Sequence, residues 1–189
     1  RYFVYDLKKD QILQKAVVAH GEGSVVSDSN NLQFSNVDGS HQSSLGKYEI
    51  RESYTGKLIR TLTFAKKFDG CFDFSFSPTD KYISFKTAST HVIVEVSTGK
   101  LIEFDKNLPN GKYITRYTFM PNEKYVVLSD YDGDLYFYDI LQQKLDLNKT
   151  FKAAVKGASS LSITKDNNYL FTTGDESNVK LWDLRTNEL

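Results

Sequence analysis

The chain has 189 residues, with 24 basic and 24 acidic side chains and so no formal net charge; no global field directs it to nucleic acid or to an anionic membrane. Thirteen Phe and twelve Tyr against three Pro and one Met, with many Thr, Val and Ile beside them, suit pleated strands. One cysteine excludes an internal disulfide and a cysteine-based metal cage, and no apolar stretch reaches transmembrane length.

The opening "RYFVYDLKKDQIL" (1–13) is strand-like and carries the pair Tyr5-Asp6. It has neither an initiator Met nor the apolar core of a signal peptide, so the chain reads as a piece of something longer. "GEGS" (21–24), just after His20, offers backbone amides to an anion, but no helix and no P-loop Lys-Ser/Thr pair follow, which leaves a turn. "FSNVDGSHQSSL" (34–45) reads as a strand end, a turn at Asp38-Gly39 and a new strand, with His41 in the turn region. "YEIRESYTGKL" (48–58) then carries Arg51-Glu52.

In "KLIRTLTFAKKFDG" (57–70), Lys57, Arg60, Lys66 and Lys67 lie close to aromatics. They form either a basic rim for an acidic partner or, the commoner meaning of such charges, a solvated outer edge. Cys71 in "DGCFDFSFSP" (69–78) is the only candidate thiol nucleophile. Strand alternation puts Phe72, Phe74 and Phe76 on one face and Cys71, Asp73 and Ser75 on the other. A small strand cysteine with nothing nearby to lower its pKa is usually inert.

From here a period emerges. "HVIVEVSTGKLIEF" (91–104), "DLYFYDILQQKLDL" (134–147) and "NVKLWDLRTNEL" (178–189) each alternate apolar residues, then place an acid and a polar turn ending in Leu. The pairs Val94-Glu95, Tyr138-Asp139 and Trp182-Asp183 recur about every 44 residues, within the range of four-stranded propeller blades. A second landmark keeps the same step: "FSPTDKYISF" (76–85), "FMPNEKYVVL" (119–128) and "ITKDNNYLFT" (163–172) each join a strand end, a polar turn and a strand opening on Tyr82, Tyr125 or Tyr169. Anchors at 5 and 51 extend the step towards the start. "DYDGD" (130–134) alternates oxygen ligands as a calcium loop does but lacks the downstream bidentate Glu, so it reads as an Asp-Gly hairpin. His20, His41 and His91 lack the short spacing of a zinc motif.

Residues from about 53 to 189 resemble the WD-repeat family of β-propellers, most closely in "NNYLFTTGDESNVKLWDL" (167–184). The resemblance implies hairpin acids at Asp132 and Glu176 and an internal polar network that includes Trp182. Because Tyr138 and Val94 replace Trp elsewhere and no Gly-His precedes the blades, the blades are expected to be divergent and held by aromatic packing. Residues 1–57 resemble the opening half of the murein L,D-transpeptidase-like catalytic domain, through Val-x-Tyr-Asp-Leu, Ala-His-Gly-x-Gly-Ser (19–24), Phe-Ser-Asn (34–36) and Gly-Ser-His-Gln-Ser-Ser-Leu-Gly (39–46). That family uses a histidine-activated cysteine thiolate, but its His-Gly-Ala-like strand and Ser-x-Gly-Cys loop do not occur here.

The expectation is an all-β chain: a β-propeller section of about four WD-repeat-like four-stranded antiparallel blades, part of a larger ring. Residues 1–57 would form a divergent blade or a transpeptidase-like fragment, and 58–189 the blades. Tyr82, Tyr125, Tyr169, Tyr138, Asp139, Trp182 and Asp183 would anchor the repeat. The expected function is a non-catalytic scaffold for protein partners, with no cofactor, metal or nucleic acid; the alternative is an envelope protein with an incomplete, inactive transpeptidase-like domain. The compartment follows the resemblance that governs, cytoplasmic for the first and periplasmic or envelope for the second.

Overall fold

The computed structural model describes residues 2–6, 10–16, 24–27, 31–36, 47–64, 71–87, 90–104, 108–109, 112–153, 156–174 and 178–188. These residues are all-β, and the chain divides into two compact units, Arg1–Glu103 and Phe104–Leu189. No helix among the described residues is long and apolar enough to cross a membrane.

The first unit opens on a hairpin of β1 (Tyr2–Asp6) and β2 (Gln11–Ala16). A four-stranded antiparallel meander follows, β3 (Ser24–Val26), β4 (Leu32–Asn36), β5 (Lys47–Glu52) and β6 (Leu58–Thr63), with each strand beside its sequence neighbour. β5 and β6 pair across residue 57, where the two resemblances meet. The second meander is β7 (Cys71–Phe76), β8 (Tyr82–Thr87), β9 (His91–Glu95) and β10 (Leu101–Glu103). The second unit holds a third meander, β11 (Ile114–Phe119), β12 (Tyr125–Asp130), β13 (Asp134–Asp139) and β14 (Lys144–Leu145). After a 3₁₀ turn at Leu147–Lys149, β15 (Phe151–Lys152) returns to pair with β13. β16 (Ser160–Ile163), β17 (Tyr169–Thr173) and β18 (Val179–Asp183) form the last sheet.

The two periodic landmarks of the sequence meet on one rung of these ladders. Tyr82 faces Glu95, Tyr125 faces Asp139 and Tyr169 faces Asp183 as direct cross-strand partners, and Leu32 faces Glu52 on the same rung of the first meander. Each acid then starts a tight turn. The amides of Gly56, Gly99 and Asn187 donate to the carbonyls of Glu52, Glu95 and Asp183 at 2.7–2.9 Å. The residue four places past the acid is left-handed, with φ of 71° at Gly56, 76° at Gly99, 53° at Gln143 and 59° at Asn187, a conformation glycine adopts without steric cost and Asn tolerates. A Cβ at Gly99 would also meet the Leu62 side chain at 3.1 Å. Acid side chains cap these turns: Glu95 accepts from the Thr98 hydroxyl, Asp139 from the Gln142 amide and Asp183 from the Arg185 amide. At the same end, where the strand opens, the amides of Ser27, Ser77, Met120 and Thr164 donate to the carbonyls of Leu32, Tyr82, Tyr125 and Tyr169 at 2.8–3.0 Å.

In that register β4 opens at Leu32, whose carbonyl accepts from the Ser27 amide, whereas the sequence pattern put the equivalent turn at Asp38-Gly39. Phe34–Asn36 instead close β4, and Asp38 and Gly39 lie outside the described residues. The "FSN" text imitates a strand end because β4 does end there.

Between the first two meanders, Phe34, Tyr48, Ile50 and Leu62 pack on Ile83, Phe85, Val92 and Val94. Phe34 and Tyr48 stack at 5.2 Å, and Tyr48 and Phe85 at 5.9 Å. In the second unit Tyr125, Val127, Leu135 and Phe137 pack with Leu170 and Trp182, and Phe151 wedges against the indole at 5.0 Å. Burying each large apolar side chain contributes about 2 kcal/mol, so these sheet faces carry most of the stability.

One rung breaks the chemistry. The pairs Ile83–Val94, Val126–Tyr138 and Leu170–Trp182 occupy the position next to the Tyr–acid rung, and in the first meander it is Gln33–Arg51. Gln33 is fully buried, and neither polar atom of its carboxamide has a hydrogen-bond partner among the described residues. Arg51 is held by Glu49 and by the Gly56 carbonyl. An orphaned buried amide costs about 1–3 kcal/mol. Gln33→Leu, which restores an apolar rung, is therefore expected to raise the melting temperature in thermal unfolding, by the equivalent of about 1 kcal/mol.

Candidate functional site

Cys71 opens β7, buried in the core of the first unit. Its neighbour is a phenol: the Tyr48 hydroxyl lies 2.8 Å from Sγ. Burial pushes the thiol pKa up, the Tyr48 hydrogen bond opposing it, and Tyr48 is likewise raised by burial and by the thiol. A protonated, enclosed thiol is a poor nucleophile. The alternation expected along 71–76 also fails. Asp73 sits at φ 55° and the pairing skips between Phe72 and Ser75, a bulge that shifts the pleat by one residue. Phe74 and Phe76 therefore pack against the same core as Cys71. His91 is buried at the start of β9, while His20 and His41 lie outside the described residues.

The residues expected to anchor a repeat sit where sheet and turn join. Tyr82 and Tyr125 are buried and Tyr169 half-buried, each with a cation over its ring: Lys81 at 5.1 Å, Lys124 at 4.9 Å and Arg185 at 5.5 Å. Such pairs contribute about 0.5–1 kcal/mol at exposed sites. Tyr125 also donates to Asp146 at 2.9 Å. Trp182 donates from its indole nitrogen to Thr172 Oγ1 at 3.0 Å inside the core. Asp139 is buried, and Tyr138 is buried with its hydroxyl pushed up to about 12. Arg185, bonded to Asp183, holds that carboxyl down at about 2.

A dense polar cluster lies at the β12–β13 hairpin. Here "DYDGD" binds a cation supplied by the chain itself: Lys112 Nζ lies 3.0 Å from Asp130, 2.9 Å from Asp132 and 2.9 Å from Asp134. Gly133 makes the turn at φ 85°, its amide donating to the Asp130 carbonyl. The buried acid is Asp130, which accepts from the Asp134 amide and the Tyr136 hydroxyl; Asp132, the position marked by the WD-repeat resemblance, is largely exposed. Glu176 lies outside the described residues. Sequence spacing could not reveal Lys112, which stands 18 residues before Asp130 and meets it only through the fold. By holding the segment before β11 on the hairpin, Lys112 sets two tyrosines side by side, the Tyr131 amide donating to the Tyr113 carbonyl at 3.0 Å. Tyr113 is 59% exposed and Tyr131 63%, large aromatic surface of the kind enriched at protein interfaces.

Two family descriptions match the chain. "L,D-transpeptidase catalytic domain" matches residues 1–65, from the start of the chain through β6. "WD domain, G-beta repeat" matches residues 146–183, from the 3₁₀ turn through β18. No curated protein matches the chain.

The hairpin cluster has a defined pH signature. Lys112, first through Asp132 and then through Asp134 and Asp130, is raised well above the ordinary lysine range, and Asp132 is held below the usual carboxylate range by Lys112. A depressed carboxylate stabilises above its unfolded pKa, and that stability is lost as pH falls through the folded value; a raised lysine keeps its contribution through neutrality. Lys112→Met is expected to lower the melting temperature at neutral pH, with the gap to the parent chain closing below about pH 4. Thermal melts across pH read this directly.

Proposed function

We propose that the chain is a non-catalytic, WD-repeat-like scaffold for protein partners, whose antiparallel meanders act as the blades of a propeller. The observation that carries this reading is the shared rung: the same Tyr–acid pairing and acid-capped turn recur in the WD-matched segment and in the sheets before it. The first meander keeps the register with Leu32 and Glu52, which supports residues 1–57 belonging to a divergent blade. Radially arranged blades leave only short protected edges and put loops at the two ends of the ring. In this reading partners are recognised at loop tips, and the Tyr113–Tyr131 pair is the best-formed one.

A second reading, an envelope protein with an inactive transpeptidase-like region, draws on the match over residues 1–65. Transpeptidase chemistry needs an activated thiolate, and the only thiol lies at Cys71, beyond that match, enclosed with Tyr48.

Two measurements on the intact chain separate the classes. Iodoacetamide is expected to label Cys71 at least about tenfold more slowly than free cysteine, as for a buried structural thiol. A photo-crosslinking residue in place of Tyr131 is expected to give discrete protein adducts that disappear when Lys112 is changed to Met. Labelling faster than free cysteine, with no adducts from the Tyr131 position, overturns the scaffold reading.

A further inference from the structure

The outer strand of the first meander differs from its counterparts. β10 has three residues and β14 two, the short edges that folded proteins use to avoid unwanted pairing. β6 has six residues, of which Leu62 alone is buried. It is the edge of its sheet, beside β5 on one side and no strand on the other among the described residues. Ile59 is 54% exposed and Leu58 44%.

Charge is segregated on the same stretch. In a chain with no net charge, residues 53–68 carry Lys57, Arg60, Lys66 and Lys67 and no acid. Lys57 and Arg60 are exposed at and within the edge strand. Basic residues on an edge discourage pairing with an identical basic strand, because like charges placed opposite one another repel. They do the reverse for an acidic strand.

We propose that β6 is a strand-addition site for an acidic, extended peptide segment of a partner protein. The pairing with β5 skips from Ile50–Arg60 to Arg51–Leu58, so Ile59 is bulged and Lys57 and Arg60 fall on one face with Leu58 on the other. The outward main-chain N–H and C=O groups of β6 would give affinity, Lys57 and Arg60 would pair with the peptide's carboxylates, and Leu58 would receive its apolar side chains. The site adds a partner class to the scaffold reading and rests on it only for the premise that this chain binds proteins.

The test uses the intact chain and fluorescein-labelled eight-residue peptides that alternate Glu with Val, alternate Lys with Val, or carry Pro at the centre of the Glu form. Anisotropy is expected to show saturable binding of the Glu peptide, weakened by salt, with little binding of the Lys peptide or of the Pro form, which lacks a main-chain donor. Amide exchange should slow within residues 58–63 on binding. Lys57→Glu with Arg60→Glu should weaken the Glu peptide at least about tenfold and strengthen the Lys peptide, a charge exchange that a folding defect cannot imitate. Absence of binding, equal binding of all peptides, or protection outside 58–63 overturns the proposal. So does protection of 58–63 that rises with protein concentration alone, which identifies a second copy as the occupant, or binding to anionic vesicles that needs the same two residues. Failure here with Tyr131 adducts intact removes only this site, whereas loss of both removes the scaffold reading.

Discussion

Three sheets of this chain share one cross-strand rung, where an aromatic residue that opens a strand sits opposite an acid that closes the next. Tyr82–Glu95, Tyr125–Asp139 and Tyr169–Asp183 are that rung three times over. It works because both ends of it are turns. The acid caps the tight turn that follows it, and the strand that Tyr opens is tied to the turn before it by a main-chain hydrogen bond. With both turns set, strand length and register follow. A slip of one residue would send every apolar side chain to the wrong face.

From that register come the cores. Alternate residues on each strand face one neighbouring sheet, so Phe34 and Tyr48 meet Phe85, and in the other unit Phe151 meets both Phe137 and Trp182. The lone thiol is absorbed into this packing rather than into chemistry, because the Asp73 bulge turns Cys71 inward beside Tyr48. Polar chemistry is displaced to hairpin tips and edges. There Lys112 neutralises three converging carboxylates, and a long basic strand, β6, borders the first meander.

The first meander is where local and global demands disagree. It pairs Leu32 rather than a Tyr with the acid, places Gln33 and Arg51 where the other sheets are apolar, and ends on a strand of six residues where β10 has three and β14 two. The same residues fall within the transpeptidase-like match. A buried polar pair where neighbouring sheets are apolar forgoes stability, and such local conflicts concentrate at functional or strained positions.

Strand content was legible in the linear text, because alternation and turn residues are local properties read from a few neighbours. The Asp-Gly hairpin at 130–134 was legible for the same reason. The opening of β4 was not, since its text lacks the opening Tyr and a similar string begins where the strand ends. Nor was the side of the sheet that Cys71 faces, because a single left-handed residue at Asp73 reverses the pleat without a compositional trace. Lys112 with Asp130, Tyr48 with Cys71 and the orphaned amide of Gln33 were decided by tertiary structure alone. Each depends on which distant strands are brought within a few ångströms, and side-chain chemistry at one position does not encode that distance.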